Sequence, residues 1–123
     1  MASSTSEWRN AVLKAIAQFL ELPDPPEAEW RVRRPTPKAY KVAVDLISDF
    51  PQKRLASLPL PRVAPDRQGG IEFEWEKGRY ALEIAVMPNG AIELLKATPK
   101  NEDEEGRCSL ERARDTILWF ARV

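Results

Sequence analysis

The sequence predicts an α+β fold: an antiparallel three- to four-stranded meander covered on one face by helices, in the order helix, helix, meander, helix. Two observations carry this. Between residues 71 and 87 large apolar side chains alternate with charged or small ones with a period of two, and the turn signals Lys77-Gly78 and Pro88-Asn89-Gly90 separate this region into consecutive strands with a further one at 91–97. On either side of that region the apolar residues recur at helical spacing instead. A sheet with one apolar face has to be covered, and amphipathic helices are the natural cover.

The first helix is expected over residues 5–21, with Trp8, Val12, Ala15, Ile16, Phe19 and Leu20 on one stripe and Ser4 and Glu7 at capping-box spacing. Leu22-Pro23-Asp24-Pro25-Pro26 ends it, because proline removes a donor and clashes with a continuing helix. A proline-rich connection at 23–37 then carries Trp30 and the arginines Arg31, Arg33 and Arg34. Thr36 as N-cap with Pro37 at the first helical position starts a second helix, whose buried stripe would be Ala39, Ala43, Leu46, Ile47 and Phe50. Residues 52–58 can add a short helical turn, and Leu58-Pro59-Leu60-Pro61 is extended, since a residue before proline is pushed from helical angles.

In the meander, Ile71, Phe73 and Trp75 alternate with Glu72, Glu74 and Glu76, and Tyr80, Leu82, Ile84 and Val86 alternate with Ala81, Glu83, Ala85 and Met87. Residues 91–97 supply a third strand, and a short fourth near 62–64 fits on the edge, where proline is tolerated. The polar stretch 98–106, with the acidic run Glu102, Asp103, Glu104 and Glu105, reads as a solvated loop. Ser109 as N-cap and the stripe Leu110, Ala113, Ile117, Phe120 and Ala121 define the last helix. At 123 residues, one domain spanning 1–123 is expected, its N-terminal helix at 1–22 tethered by the connection at 23–37.

Composition narrows the chemistry. Histidine is absent, which removes the commonest general base and the commonest metal ligand together. With Cys108 the only cysteine, a zinc site of ordinary type cannot be assembled from one chain, and an internal disulfide is impossible. A lone thiol and an N-terminal Met-Ala-Ser-Ser-Thr-Ser-Glu without basic or apolar regions make the cytoplasm the expected compartment, and no apolar run is long enough for a membrane span. Nineteen basic residues offset nineteen acidic ones, so no global field draws the chain to a polyanion.

Several constellations invite a functional reading, each beside a plainer one. Glu72, Glu74, Glu76 and Glu83 on one face of a hairpin could bind a divalent cation or act as acid and base, but outward positions of an exposed strand are charged by ordinary binary patterning as well. Gly69-Gly70 leads into a strand rather than a helix, so it marks a turn and not a phosphate loop. Cys108 near a helix N-terminus has no histidine to activate it and reads as a passive thiol. Trp30 with Arg31, Arg33 and Arg34 could stack on a base and pair with phosphates, although Glu27 and Glu29 dilute the patch. Trp75 and Trp119 belong to the core or its edge, whereas Trp8 and Trp30 lie in the N-terminal part, where tryptophans either anchor a partner or pack on their own domain.

The run Pro59-Leu60-Pro61, Pro65, Gly69-Gly70-Ile71-Glu72-Phe73-Glu74-Trp75, Leu82-Glu83-Ile84 and Asn89-Gly90 resembles a pattern in small uncharacterised bacterial proteins. There a proline-flanked approach leads into a glycine pair, a strand ending in Trp, a hairpin and a terminal helix. The resemblance covers about a third of the chain and brings no established activity with it. It implies a bacterial origin and, by analogy, an antitoxin-like or accessory subunit of an operon.

The expectation is therefore not an enzyme but a non-catalytic protein–protein interaction module. It needs no cofactor or metal, and its partner would be another protein or a second copy in a homodimer. Trp8, Phe19, Trp30, Arg31, Arg33 and Arg34 are the expected partner-binding residues, through a strand edge or an N-terminal aromatic arm. The alternative is a small nucleic-acid-binding regulator using Arg31, Arg33, Arg34, Lys38 and Lys41, and a third reading is a metal-dependent enzyme built on the strand glutamates.

Overall fold

The computed structural model describes residues 4–25, 28, 31–48 and 59–123, with side chains from Glu7 onward. Helix α1 (Ser4–Gln18) runs into a 3-10 turn (Phe19–Glu21), and α2 spans Pro37–Ser48. Five strands follow, β1 (Arg62–Pro65), β2 (Ile71–Lys77), β3 (Tyr80–Val86), β4 (Ile92–Ala97) and β5 (Glu104–Cys108), before α3 (Leu110–Phe120). They form one sheet in the order β1-β2-β3-β4-β5, each neighbouring pair antiparallel. The α+β class and the one-sided meander are as the patterning predicts, but the sheet has five strands, not three or four.

The additional strand is β5, where the sequence reads as a solvated loop. Its residues have poor strand propensity, and four of the five are charged or glycine. Pairing comes from outside: β4 offers its free edge, and Glu104 to Cys108 zip along it opposite Lys96 to Ile92. A charged strand suits the sheet edge, because charge discourages further pairing there.

The three described helices lie on one side. Helix α2 packs on β2 and β3, α3 on β3 and β4, and α1 on α2 and β1. The alternating residues Ile71, Phe73, Trp75, Leu82, Ile84, Val86, Ile92 and Leu94 point into this layer and are buried against Ile16, Leu46, Ile47, Ile117 and Phe120. Burying each such side chain is worth about 1.5–3 kcal/mol before chain entropy is counted, so this layer dominates folding. Within the predicted α1 stripe, Trp8, Val12 and Ile16 are buried, Ala15 and Phe19 half-buried, and Leu20 is exposed. The helix is docked through this stripe and is not a free arm.

Local chemistry sets the helix ends. The Thr36 hydroxyl accepts from the Ala39 N–H at 3.1 Å and donates to the Pro88 carbonyl at 2.6 Å, so the N-cap of α2 also fixes the helix to the β3–β4 turn. Ser109 Oγ accepts from the Arg112 N–H at 3.0 Å and caps α3. Phe50 and the expected turn at 52–58 lie outside the described residues, as does the Ser4 side chain of the expected capping box.

The glycine pair closes the β1–β2 turn. Asp66 Oδ1 accepts from the N–H groups of Gln68 and Gly70 at 2.7 and 2.8 Å, and the segment before α2 pairs with this turn through Arg33 N–H to Asp66 O and Thr36 N–H to Gly69 O, each 3.0 Å. A Cβ on Gly70 would lie 2.5 Å from the Val86 carbonyl oxygen, which belongs to a paired strand and cannot move aside. Gly70→Ala should therefore lower stability in urea denaturation by about 1–3 kcal/mol, the usual cost of overpacking. An unchanged midpoint would mean that the turn can shift freely.

Candidate functional site

One-sided cover leaves the other face of the sheet open, and the registers say what stands on it. One row across the strands reads Arg62, Glu74, Glu83, Leu95 and Glu105. The next reads Ala64, Glu72, Ala85, Glu93 and Arg107, and a third Glu76, Ala81 and Ala97. Glutamates 72, 74, 76, 83, 93 and 105 thus share the face with two arginines, small alanines and one large apolar side chain. That side chain, Leu95, is 43% exposed.

The relief of the face is not flat. A hollow of about 220 Å³ is walled by Glu83, Glu93 and Glu105 over Ala85 and Gly106. A second, of about 130 Å³, is walled by Glu74, Glu76 and Glu83 over Ala81 and Ala97. Glu83 and Leu95 border both. The floors are low because alanine and glycine sit where neighbouring positions carry long side chains.

Charge on the face is crowded. Glu72, Glu74 and Glu83 each offer a carboxylate oxygen within 4.8 Å of the others, a partial ligand set for a hard cation that the strand alternation anticipates; Glu76 lies outside it. Partial burial, and after it the charges of Glu83, Asp66 and Glu74, push the Glu72 carboxyl above its ordinary range, with Arg62 opposing. Arg62 pairs with Glu74 at 3.6 Å, and exposed pairs of this kind contribute about 0–1 kcal/mol.

The residues expected to bind a partner are placed elsewhere. Trp8 is only 5% exposed, and its Nε1 donates to the Pro59 carbonyl at 3.2 Å, so it is a core residue and not a surface anchor. Its stripe position and its need for an indole acceptor are both met inside the protein. Phe19 is half-buried in the 3-10 turn and packs against the core. Trp30 lies outside the described residues. Arg31 is exposed, with its backbone N–H bonded to Ala28 O at 2.9 Å. Arg33 pairs with Asp24 at 3.3 Å, and Arg34 Nε donates to the Leu22 carbonyl at 3.0 Å. Both line a groove of about 490 Å³ with Leu20, Tyr40 and Gln68. These arginines hold the proline-rich connection against the end of α1, and they do not meet Trp8 or Phe19 in one surface.

Glu93 and Leu95 are not among the residues that the sequence motifs single out, and Glu105 enters there only as part of an acidic run. Glu93 and Leu95 alternate with the buried Ile92 and Leu94, a signal that was present. Glu105 carries none, because its facing depends on β5 existing. Cys108, at the end of β5, is held above the usual thiol range by burial first, with Glu104 adding and Arg112 opposing, so its thiolate is disfavoured.

The raised Glu72 carboxyl fixes a sign. The folded state binds the Glu72 proton more tightly than the unfolded chain, so ionising Glu72 works against folding. Its contribution worsens as pH rises from the ordinary carboxylate range through the raised folded value. Glu72→Gln should raise Tm at pH 7, with the gain shrinking as pH is lowered into the ordinary carboxylate range. A variant less stable than the parent at pH 7 would show that attraction to Arg62 outweighs the crowding.

Among the described residues no helix is long and apolar enough to cross a membrane. Comparison of the chain with known protein families, with curated proteins and with solved structures gives no match.

Proposed function

We propose that this chain is a non-catalytic protein–protein interaction module whose binding surface is the open face of the sheet. The observation that carries the reading is Leu95: a large apolar side chain on β4, between Glu83 and Glu105, left nearly half exposed on a sheet face that no described helix covers. An apolar centre ringed by charged side chains has the anatomy of an interface, a desolvated core inside a polar rim. The hollows beside it are open and small for a cofactor or metabolite, which ordinarily occupies about 300–1,000 Å³. An antitoxin-like or accessory role in a bacterial operon rests on the resemblance of the 58–95 segment alone.

A second reading, nucleic-acid recognition by the basic segment, has the groove beside Arg33 and Arg34 in its favour, with Lys38 and Lys41 exposed on α2. Against it, both arginines are already engaged by Asp24 and Leu22.

The test is affinity capture from the native source with the parent chain and with Leu95→Arg, both first shown to have the same Tm. A stoichiometric protein retained by the parent and lost by the variant is the expected result. A companion retained equally by both places the interface elsewhere. Salt-labile nucleic acid, lost when Lys38 and Lys41 become alanine, would favour the second reading.

A further inference from the structure

We infer that the occupant of the open face is a basic protein segment, with one lysine or arginine side chain seated in each of the two hollows that flank Leu95. This rests on the reading of the open face as the binding surface and adds the chemistry of what it binds.

Shape and charge carry it together. Each hollow has acidic walls and an alanine floor, and Glu83 stands between the two. Lysine and arginine match that pattern atom by atom: an apolar stem that can lie on alanine or against Leu95, and a cationic head that reaches the wall carboxylates. A neutral or acidic segment would strip water from the glutamates and return no partner, which is costly. Across the face six glutamates stand against Arg62 and Arg107, while the chain as a whole is neutral. Attraction for a basic partner is therefore local to this face and is not a property of the net charge. The crowding of Glu72, Glu74 and Glu83 in the free protein points the same way, since a cation relieves it.

The register also gives a spacing. The floors at Ala81 and Ala85 are four residues apart on β3, roughly 13 Å at the rise of a strand. An extended segment laid along β3 would place basic side chains at positions i and i+4 in the two hollows and an apolar residue at i+2 over Leu95. A lone divalent ion at Glu72, Glu74 and Glu83 would use neither Leu95 nor the hollow walled by Glu93 and Glu105.

The test is an NMR titration of the ¹⁵N-labelled full chain with a nine-residue peptide. It carries arginine at positions 3 and 7, leucine at 5 and serine elsewhere, and a version with glutamate at 3 and 7 is the control. The arginine peptide should shift the amides of Ala81, Glu83, Ala85, Leu95 and Ala97, with affinity falling several-fold between 50 and 300 mM NaCl as screening tightens. Glu83→Gln, which removes the shared wall, should weaken it about threefold, while Glu21→Gln should leave it unchanged. Equal shifts from both peptides, or none on these amides, would overturn the inference. So would saturation of Glu72, Glu74 and Glu83 by magnesium or calcium with no response to the peptide, or dilution-dependent shifts without peptide, which would make a second copy the occupant. If Leu95→Arg abolishes capture of the native partner while Glu83→Gln and salt leave it intact, the open face still binds but its partner is not basic. If the peptide binds as expected and no native partner depends on Leu95, the reading of the open face as the native interface fails instead.

Discussion

The pleat of the central strands is the constraint from which the rest of this structure follows. Side chains alternate across a strand, so Ile71, Phe73 and Trp75 cannot be buried without turning Glu72, Glu74 and Glu76 the other way. Antiparallel pairing repeats that choice in β3 and β4, and one apolar face is assembled from Leu82, Ile84, Val86, Ile92 and Leu94. The three described helices are drawn to that face, because the other offers a single large apolar side chain, Leu95, among charged and small ones. The acidic open face and the hydrophobic core are thus two consequences of one geometric rule.

Helix placement on the buried side depends on a few polar contacts that the apolar layer could not specify alone. The Pro59 carbonyl accepts from both Trp8 Nε1 and Trp75 Nε1, at 3.2 and 3.1 Å, so one backbone oxygen joins α1, the approach to β1 and the middle of β2. Between α2 and the sheet, Thr36 caps the helix with one lone pair of its hydroxyl and holds Pro88 with its proton. Across the helices, Arg114 donates to the Asp45 carbonyl at 2.7 Å. Each contact satisfies a donor that burial would otherwise leave unpaired, which fixes position more sharply than apolar packing does.

On the open side, electrostatics and packing are in tension. Like charges gathered on one face raise the free energy of the folded state, and a stability-only design would disperse them or pair them with lysine. Here the basic residues lie on the helical side and at the edges: Lys38 and Lys41 on α2, Arg33 and Arg34 before it, Lys96 over the Trp119 ring at 4.1 Å, and Arg112 paired with Glu104 beside α3. A neutral chain is thereby partitioned into an acidic sheet face and a more basic opposite side. Violations of local stability rules of this kind are expected where a surface has a use beyond folding.

Much of this was written in short-range pattern. The alternation at 71–86, the turn residues at Gly78 and Gly90, and the caps Thr36 and Ser109 act over a few residues, so the sequence by itself determined β2, β3, the start of α2 and all of α3. It also put Glu72, Glu74, Glu76 and Glu83 on one face of a hairpin, and the two-residue turn that sets Lys77 opposite Tyr80 then brings Glu74 opposite Glu83. Tertiary structure alone decided three things. It made a strand of residues 104–108, whose own propensity argues for a loop and whose hydrogen bonds are lent by β4. It buried Trp8, which a helical stripe marks as apolar-facing without saying that Pro59, fifty-one residues away, would accept its indole proton. It brought Glu93, Leu95 and Glu105 beside Glu83, since lateral neighbours in a sheet are fixed by the pairing of whole strands, a long-range choice that no local window of sequence contains.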